Sequence, residues 1–188
     1  FYDLMCGSGT IPIEAALIAH NIAPGLFRNH FSFQNWHDYE EDLFLEIQNK
    51  SKENISINSD IKIYGFDLSF SNIAMSLYSA KLLGIEKLIQ FKKQDIKEFS
   101  SMDNHGTIIM NPPYGERLDA HNINLEELYT LIGDILKQEC INFDAYIFTS
   151  NLSASKHIGL KSKKRIVLKN GSLDCRLLHY PIRSGEYK

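Results

Sequence analysis

The chain has 188 residues, 44% of them hydrophobic and 23% charged, the composition of an ordinary globular domain built around one core. It has no apolar run near the ~18 residues a membrane-spanning helix needs and no secretory signal, so the expected location is cytoplasmic. The net charge of −3 removes any electrostatic case for nucleic acid, which usually draws a basic domain or stripe, so such an assignment has to rest on motifs.

Phe1-Tyr2-Asp3-Leu4 reads as the tail of a buried strand running into a glycine turn, as if the chain started inside a fold already under way. From Thr10 to His20, Ile13, Ala16, Leu17 and Ile18 recur at helical spacing, with Pro12 in the tolerated first turn. Asn21-Ile22-Ala23-Pro24-Gly25-Leu26 is turn-like, and Phe31, Phe33, Trp36 and Tyr39 follow no clean period. A helix is expected from about Tyr39 to Ile55. Ile61 to Asp67 reads as a second strand, and Ser71 to Leu83 as a helix stopped by Gly84. Further strands are expected at Leu88–Lys92, Thr107–Met110 and Ala145–Thr149, with a helix at Leu125–Glu139. Arg165–Lys169 and Leu173–Leu178 flank Asn170-Gly171, a strong hairpin-turn signal.

Alternating strands and helices predict an α/β fold. The sheet is mostly parallel and seven-stranded, with helices on both faces, a C-terminal antiparallel hairpin, and a ligand crevice at the carboxyl ends of the strands. Asp3, Asp67, Asp95 and Asn111 all fall at those ends.

In Asp3-Leu4-Met5-Cys6-Gly7-Ser8-Gly9-Thr10 two glycines let backbone come close to a ligand, and the helix that follows presents unpaired N–H groups. The turn lacks GxxxxGK[ST], and Pro12 stands at the third glycine position of GxGxxG, which disfavours ATP and NAD. Asp67 closes the second strand, where a carboxylate can accept from both hydroxyls of a ribose. Helix capping by Asp67-Leu68-Ser69 is an equally good reading. After the third strand, Asp95 can accept from an adenine amino group while Ile96 supplies a backbone N–H.

The chemistry is named by Asn111-Pro112-Pro113-Tyr114-Gly115, which follows the apolar strand Thr107–Met110. Two prolines fix φ and remove N–H donors where the strand ends, leaving a rigid acceptor edge. An aromatic amine is a poor nucleophile because its lone pair is delocalised into the ring. The Asn111 side-chain oxygen and the Pro112 carbonyl can each accept one amine hydrogen and draw the nitrogen toward tetrahedral geometry. Tyr114 can stack on the base.

With Asp3 to Thr10, Asp67, Asp95 and Asn111 to Arg117 in this order, the chain resembles the Rossmann-like class I methyltransferases that accompany THUMP domains. Asn111 to Arg117, Ala23-Pro24-Gly25-Leu26, and Asn170-Gly171-Ser172-Leu173 with Arg176-Leu177 are similar to the bacterial 23S ribosomal RNA guanine-N2 methyltransferases. The resemblance implies S-adenosylmethionine as cofactor, lined by Asp3, Cys6, Gly7, Ser8, Gly9, Thr10, Asp67, Leu68, Asp95, Ile96 and Asn111. It implies that Asn111, Pro112, Pro113 and Tyr114 hold the target guanine of 23S RNA. It also implies one catalytic domain over residues 1–188, truncated at its N-terminus and without the THUMP domain that helps dock RNA. Leu4 departs from the proline usual in the family after the first aspartate.

Adenine-N6 transfer to DNA and N5 transfer to a protein glutamine use the same acceptor geometry and stay as alternatives, with a non-enzymatic RNA-binding module the weakest. Lys161, Lys163, Lys164 and Arg165 read as a solvated loop rather than a phosphate contact, and Phe31, Phe33 and Trp36 as packing against the sheet. His20, His30 and His37 lack metal-ligand spacing, so no metal is expected. Cys6, Cys140 and Cys175 are odd in number and far apart in sequence, and read as reduced thiols.

Overall fold

The first strand is only two residues long, β1 at Tyr2–Asp3, and it lies inside the sheet between β2 (Tyr64–Asp67) and β4 (Gly106–Met110). In a computed structural model that describes residues 1–115 and 124–185, β3 is Gln90–Lys93 and β5 is Phe143–Thr149. The hairpin is β6 (Lys164–Asn170) with β7 (Leu173–Pro181). The strand order is β3-β2-β1-β4-β5-β7-β6. Strands β1 to β5 run parallel, and β7 is antiparallel to both β5 and β6. The seven-stranded mixed sheet and its C-terminal hairpin are the expected architecture.

Between the strands run α1 (Thr10–Ala19), α2 (Glu41–Glu53), α3 (Phe70–Leu82) and α4 (Leu125–Glu139). Helix α4 starts where the Asn124 side chain accepts the Glu126 N–H, with Glu126 and Glu127 in its first turn to complement the helix dipole. Its Leu128, Tyr129, Ile132 and Leu136 pack on one sheet face with Tyr64, Phe66, Ile108, Phe143 and Ile147. On the other face α1 and α3 bring Ile13, Leu17 and Ala80 against Ile63 and Ile89. Strand β5 shows the cause most simply, because alternate residues Phe143, Ala145, Ile147 and Thr149 are fully buried.

Three expectations are corrected. The second strand pairs only from Tyr64, since Ile61–Ile63 lies outside the assigned strand although Ile63 is buried. The third begins at Gln90 because Glu86–Leu88 winds into a 3-10 turn. The aromatic segment does not pack on the sheet. Phe31 stacks on Phe33 at 5.3 Å, both meet Phe44 of α2 edge-on, and Trp36 stays exposed. Helix α2 itself has no buried residue. No described helix is long and apolar enough to cross a membrane.

Candidate active site at the carboxyl ends of the strands

Chain direction reverses across the sheet at β1. The path moves from β1 outward to β2 and β3, then returns to the other side for β4 and β5. A doubly wound sheet opens a crevice at such a switch point, outside the carboxyl ends of the strands. Because β1 pairs with β4, the glycine turn after Asp3 and the Asn111–Tyr114 segment after Met110 sit side by side.

The turn is held tightly by its neighbours. Gly9 adopts φ 86°, and a Cβ there would stand 2.9 Å from the Ser76 side chain and 3.0 Å from Phe91, so position 9 takes only glycine. The Ser76 hydroxyl donates to the Gly7 carbonyl at 2.9 Å, and the Gly7 N–H donates to the Asp67 carboxylate at 2.9 Å. Ser8 and Thr10 are exposed at the mouth of the turn, whereas Cys6 is buried and its thiol is pushed up to about 12, first by burial. The N-terminus of α1 opens directly after Gly9, a natural place for polar ligand atoms.

Asp67 braces the start of α3 and the glycine turn together. One oxygen accepts the Ser69 N–H at 2.8 Å and the Asn72 amide at 3.0 Å, while the other accepts Gly7. The cap of α3 is Ser69, whose hydroxyl accepts the Asn72 N–H. A carboxylate offers about four lone-pair sites, and three are used here. Asp67 can therefore take one more donor while Asn72 keeps its contact. Leu68 beside it is 53% exposed, an apolar surface at the crevice edge.

Asp3 is 1% exposed. One carboxylate oxygen accepts the Met5 N–H at 3.1 Å and the other has no hydrogen-bond partner among the described residues. Burial, reinforced by the charge of Asp67, pushes its carboxyl up to about 7. A buried acceptor without a donor is what a ligand donor or cation relieves. Asp95 accepts the Lys97 N–H at 3.0 Å and so caps the turn Ile96–Glu98, in which Ile96 is buried. Together the orphaned Asp3 oxygen, the spare site on Asp67, the glycine cradle and the exposed Leu68 fit an amino-acid-bearing nucleoside.

At the end of β4, Asn111 and Pro113 are exposed, Pro112 is buried and Tyr114 is half-buried. Residues 116 and 117, the Glu-Arg of the sequence motif, lie outside the described residues. Tyr114 is gripped at two points. The Asn151 amide donates to its carbonyl at 3.4 Å and the Asn170 amide to its hydroxyl at 2.7 Å. Asn72, Ser76, Asn151 and Asn170 were not singled out as site residues. Only the 67-69-72-76 spacing on and before α3 hints at the first two. Two hollows of about 450 and 310 Å³ lie elsewhere, and no candidate residue lines either. The site is an open crevice between strand ends. Lys163, Lys164 and Arg165 lie at the start of β6, the end of the hairpin away from this crevice. Among the described residues, no three His, Cys, Asp or Glu side chains are grouped to hold a metal ion.

Residues 1–179 match the protein-family model described as RMKL-like, methyltransferase domain. The ribosomal RNA large subunit methyltransferase K/L of Allochromatium vinosum is 35% identical over 184 residues, covering 96% of this chain and 25% of that protein. The crystal structure of SMU.472 complexed with SAH superimposes with a TM-score of 0.88 at 32% identity, over 97% of this chain and 48% of that one. A structure from Listeria monocytogenes, described as a predicted N6-adenine-specific DNA methylase, gives 0.84 at 31% identity, over 97% and 46%. The chain thus spans about a quarter of the first of these relatives and about half of each solved structure.

Proposed function

The chain belongs to the RMKL-like methyltransferase-domain family, and on that premise we propose that it methylates the exocyclic N2 amine of a guanine in 23S ribosomal RNA. The observation that carries this reading is the adjacency of two motifs. The acceptor edge Asn111-Pro112 leaves β4 next to the glycine turn that leaves β1. S-adenosylmethionine, when bound, supplies an electrophilic methyl group on sulfur. SAH, bound to SMU.472, is the same molecule without that methyl.

Asp3, Asp67, Asp95 and the backbone of Gly7 to Thr10 are assigned to holding the cofactor, with Cys6, Leu68 and Ile96 lining it. Asn111 Oδ1 and the Pro112 carbonyl accept the two amine hydrogens, which orients the nitrogen lone pair toward the cofactor side. Pro113 keeps that edge rigid. Tyr114 stacks on the base, a contact worth ~1–3 kcal/mol. Holding the reactants in line supplies much of the acceleration, and the proton leaves after transfer without a strong dedicated base. The name of the Allochromatium relative favours ribosomal RNA, whereas that of the Listeria structure points to adenine in DNA. Adenine and guanine amines suit the same acceptor pair.

The test is to incubate the full-length protein with labelled S-adenosylmethionine and unmethylated ribosomal RNA, with DNA in parallel, and identify the labelled nucleoside. Label in N2-methylguanosine is expected, and label only in N6-methyladenine overturns the assignment. Asn111→Ala should lose on the order of 100-fold in transfer rate at saturating cofactor. An unchanged rate would sink the proposed role of the acceptor edge.

A further inference from the structure

The hairpin loop is one residue shorter than the 170–172 that its expected flanking strands leave. Asn170 still pairs with Leu173 across the ladder, so the two-residue loop is Gly171-Ser172, with Gly171 at φ 61°. Asn170 is absent from the residues with positive φ. The turn therefore does not require asparagine at 170, and its amide is free for another task.

The hairpin also reaches further than the sheet. At the crevice end the last pair between β5 and β7 is Thr149 with Arg176. Beyond it Cys175, Asp174 and Leu173 pair only with Leu168, Lys169 and Asn170 of β6. These three pairs carry the tip about 10 Å past the end of β5. That overhang delivers the Asn170 amide to the Tyr114 hydroxyl at 2.7 Å.

The other end of Tyr114 is anchored from β5. Asn151 donates to the Tyr114 carbonyl. Asn151 is itself fixed, because its N–H donates to Thr149 Oγ1 at 3.0 Å and its side-chain oxygen accepts the Ala154 N–H at 2.9 Å. The main chain of Tyr114 is thus tied to the sheet, while its ring would still turn about χ1 and χ2. A stacking ring has to be held in the plane of the base, and a contact at its far tip is the means of doing so.

We propose that Asn170 is a positioning residue of the target-base subsite, and that the hairpin tip forms one wall of that subsite by holding the Tyr114 ring through its hydroxyl. This rests on the reading of Tyr114 as the residue that stacks on an aromatic base. Losing one hydrogen bond of this kind corresponds to roughly 3- to 10-fold in a rate or affinity.

The experiment is a double-mutant cycle in the full-length protein with Asn170→Ala, Tyr114→Phe and both together, reading kcat and KM for ribosomal RNA beside cofactor Kd. Each single variant should lose about 3- to 10-fold in kcat/KM with Kd unchanged, and the double variant should be no worse than either. Wild-type kcat/KM in Asn170→Ala, losses that multiply in the double variant, or a parallel loss of cofactor affinity would each overturn the proposal. If the wild type labels no RNA, it is the reading of function that fails. NMR of ¹³C-labelled tyrosine rings then decides the positioning role. Faster flipping of the Tyr114 ring in Asn170→Ala upholds it, and identical ring signals refute it.

Discussion

Asp3 is an acid placed where its charge is least welcome. Its carboxyl titrates near 7 in the folded chain against an ordinary value of 3.8, because burial removes water and Asp67 adds a like charge. Between those two values the folded state holds a proton that the unfolded state has released, so stability falls as pH rises from about 4 to 7 and stays low above that. Asp3→Asn should remove this loss, raising stability above pH 7 by on the order of 4 kcal/mol and flattening the profile of thermal midpoint against pH. A cationic ligand group at Asp3 reverses the preference, so cofactor affinity of the wild type should rise with pH through 7, while Asp3→Asn binds weakly and lacks that rise. Calorimetric titrations of both proteins over pH 5.5–8.5 check this, since the ligand's own titration is common to the two. At this scale the sequence indicates the type of residue and its place at a strand end. It does not reveal how many lone pairs remain. Sequence cannot decide between ribose acceptor and helix cap for Asp67, and only coordinates show that Ser69 caps α3 while Ser69, Asn72 and Gly7 together occupy three acceptor sites of the Asp67 carboxylate.

At the scale of elements, hydrophobic period fixed α4 to the residue, Leu125–Glu139, because its buried positions recur every three to four residues. Short parallel strands were harder to bound. Ile61–Ile63 has the composition of a strand, but the pairs with β1 and β3 begin only at Tyr64. The hairpin was legible from Asn-Gly, but its loop is one residue shorter than expected because Asn170 stays in the ladder, and the Tyr114 contact of Asn170 is 56 residues away in sequence. Helix α4 carries a second long-range feature that its period cannot reveal. Gly133 lies on its buried face, and a Cβ there would collide with the Ile158 carbonyl of the turn Ala154–Ile158. Gly133→Ala gains helix propensity but has to push that backbone away. The expected net result is a loss of about 1–3 kcal/mol, at roughly 2–4 °C of thermal midpoint per kcal/mol for a chain of this size. A midpoint equal to or above wild type would show that the Ala154–Ile158 turn yields freely.

Across the whole molecule, burial is uneven in a way that separates the sheet core from residues 28–58. The face carrying α4 holds the larger cluster, from Tyr2 through Phe143 to Ile182, with most members sealed from solvent. Residues 28–58 hold together through the small ring cluster of Phe31, Phe33, Tyr39 and Phe44, and their helix α2 has no fully buried residue. Regions with few buried apolar groups open at low free energy, whereas core strands open only with the global transition. Native-state hydrogen exchange should therefore find amides of 41–53 exchanging first and those of β4, β5 and α4 last. Adding SAH at 100 times its Kd stabilises the global fold by about 2.7 kcal/mol. Added protection should reach Cys6 to Thr10 and the end of β2, and leave 41–53 as they were, because no hydrogen bond joins α2 to the glycine turn or to Asp67 among the described residues. Slow exchange in α2, or protection of α2 by SAH, would mean that residues 41–53 are coupled to the crevice and belong to the site.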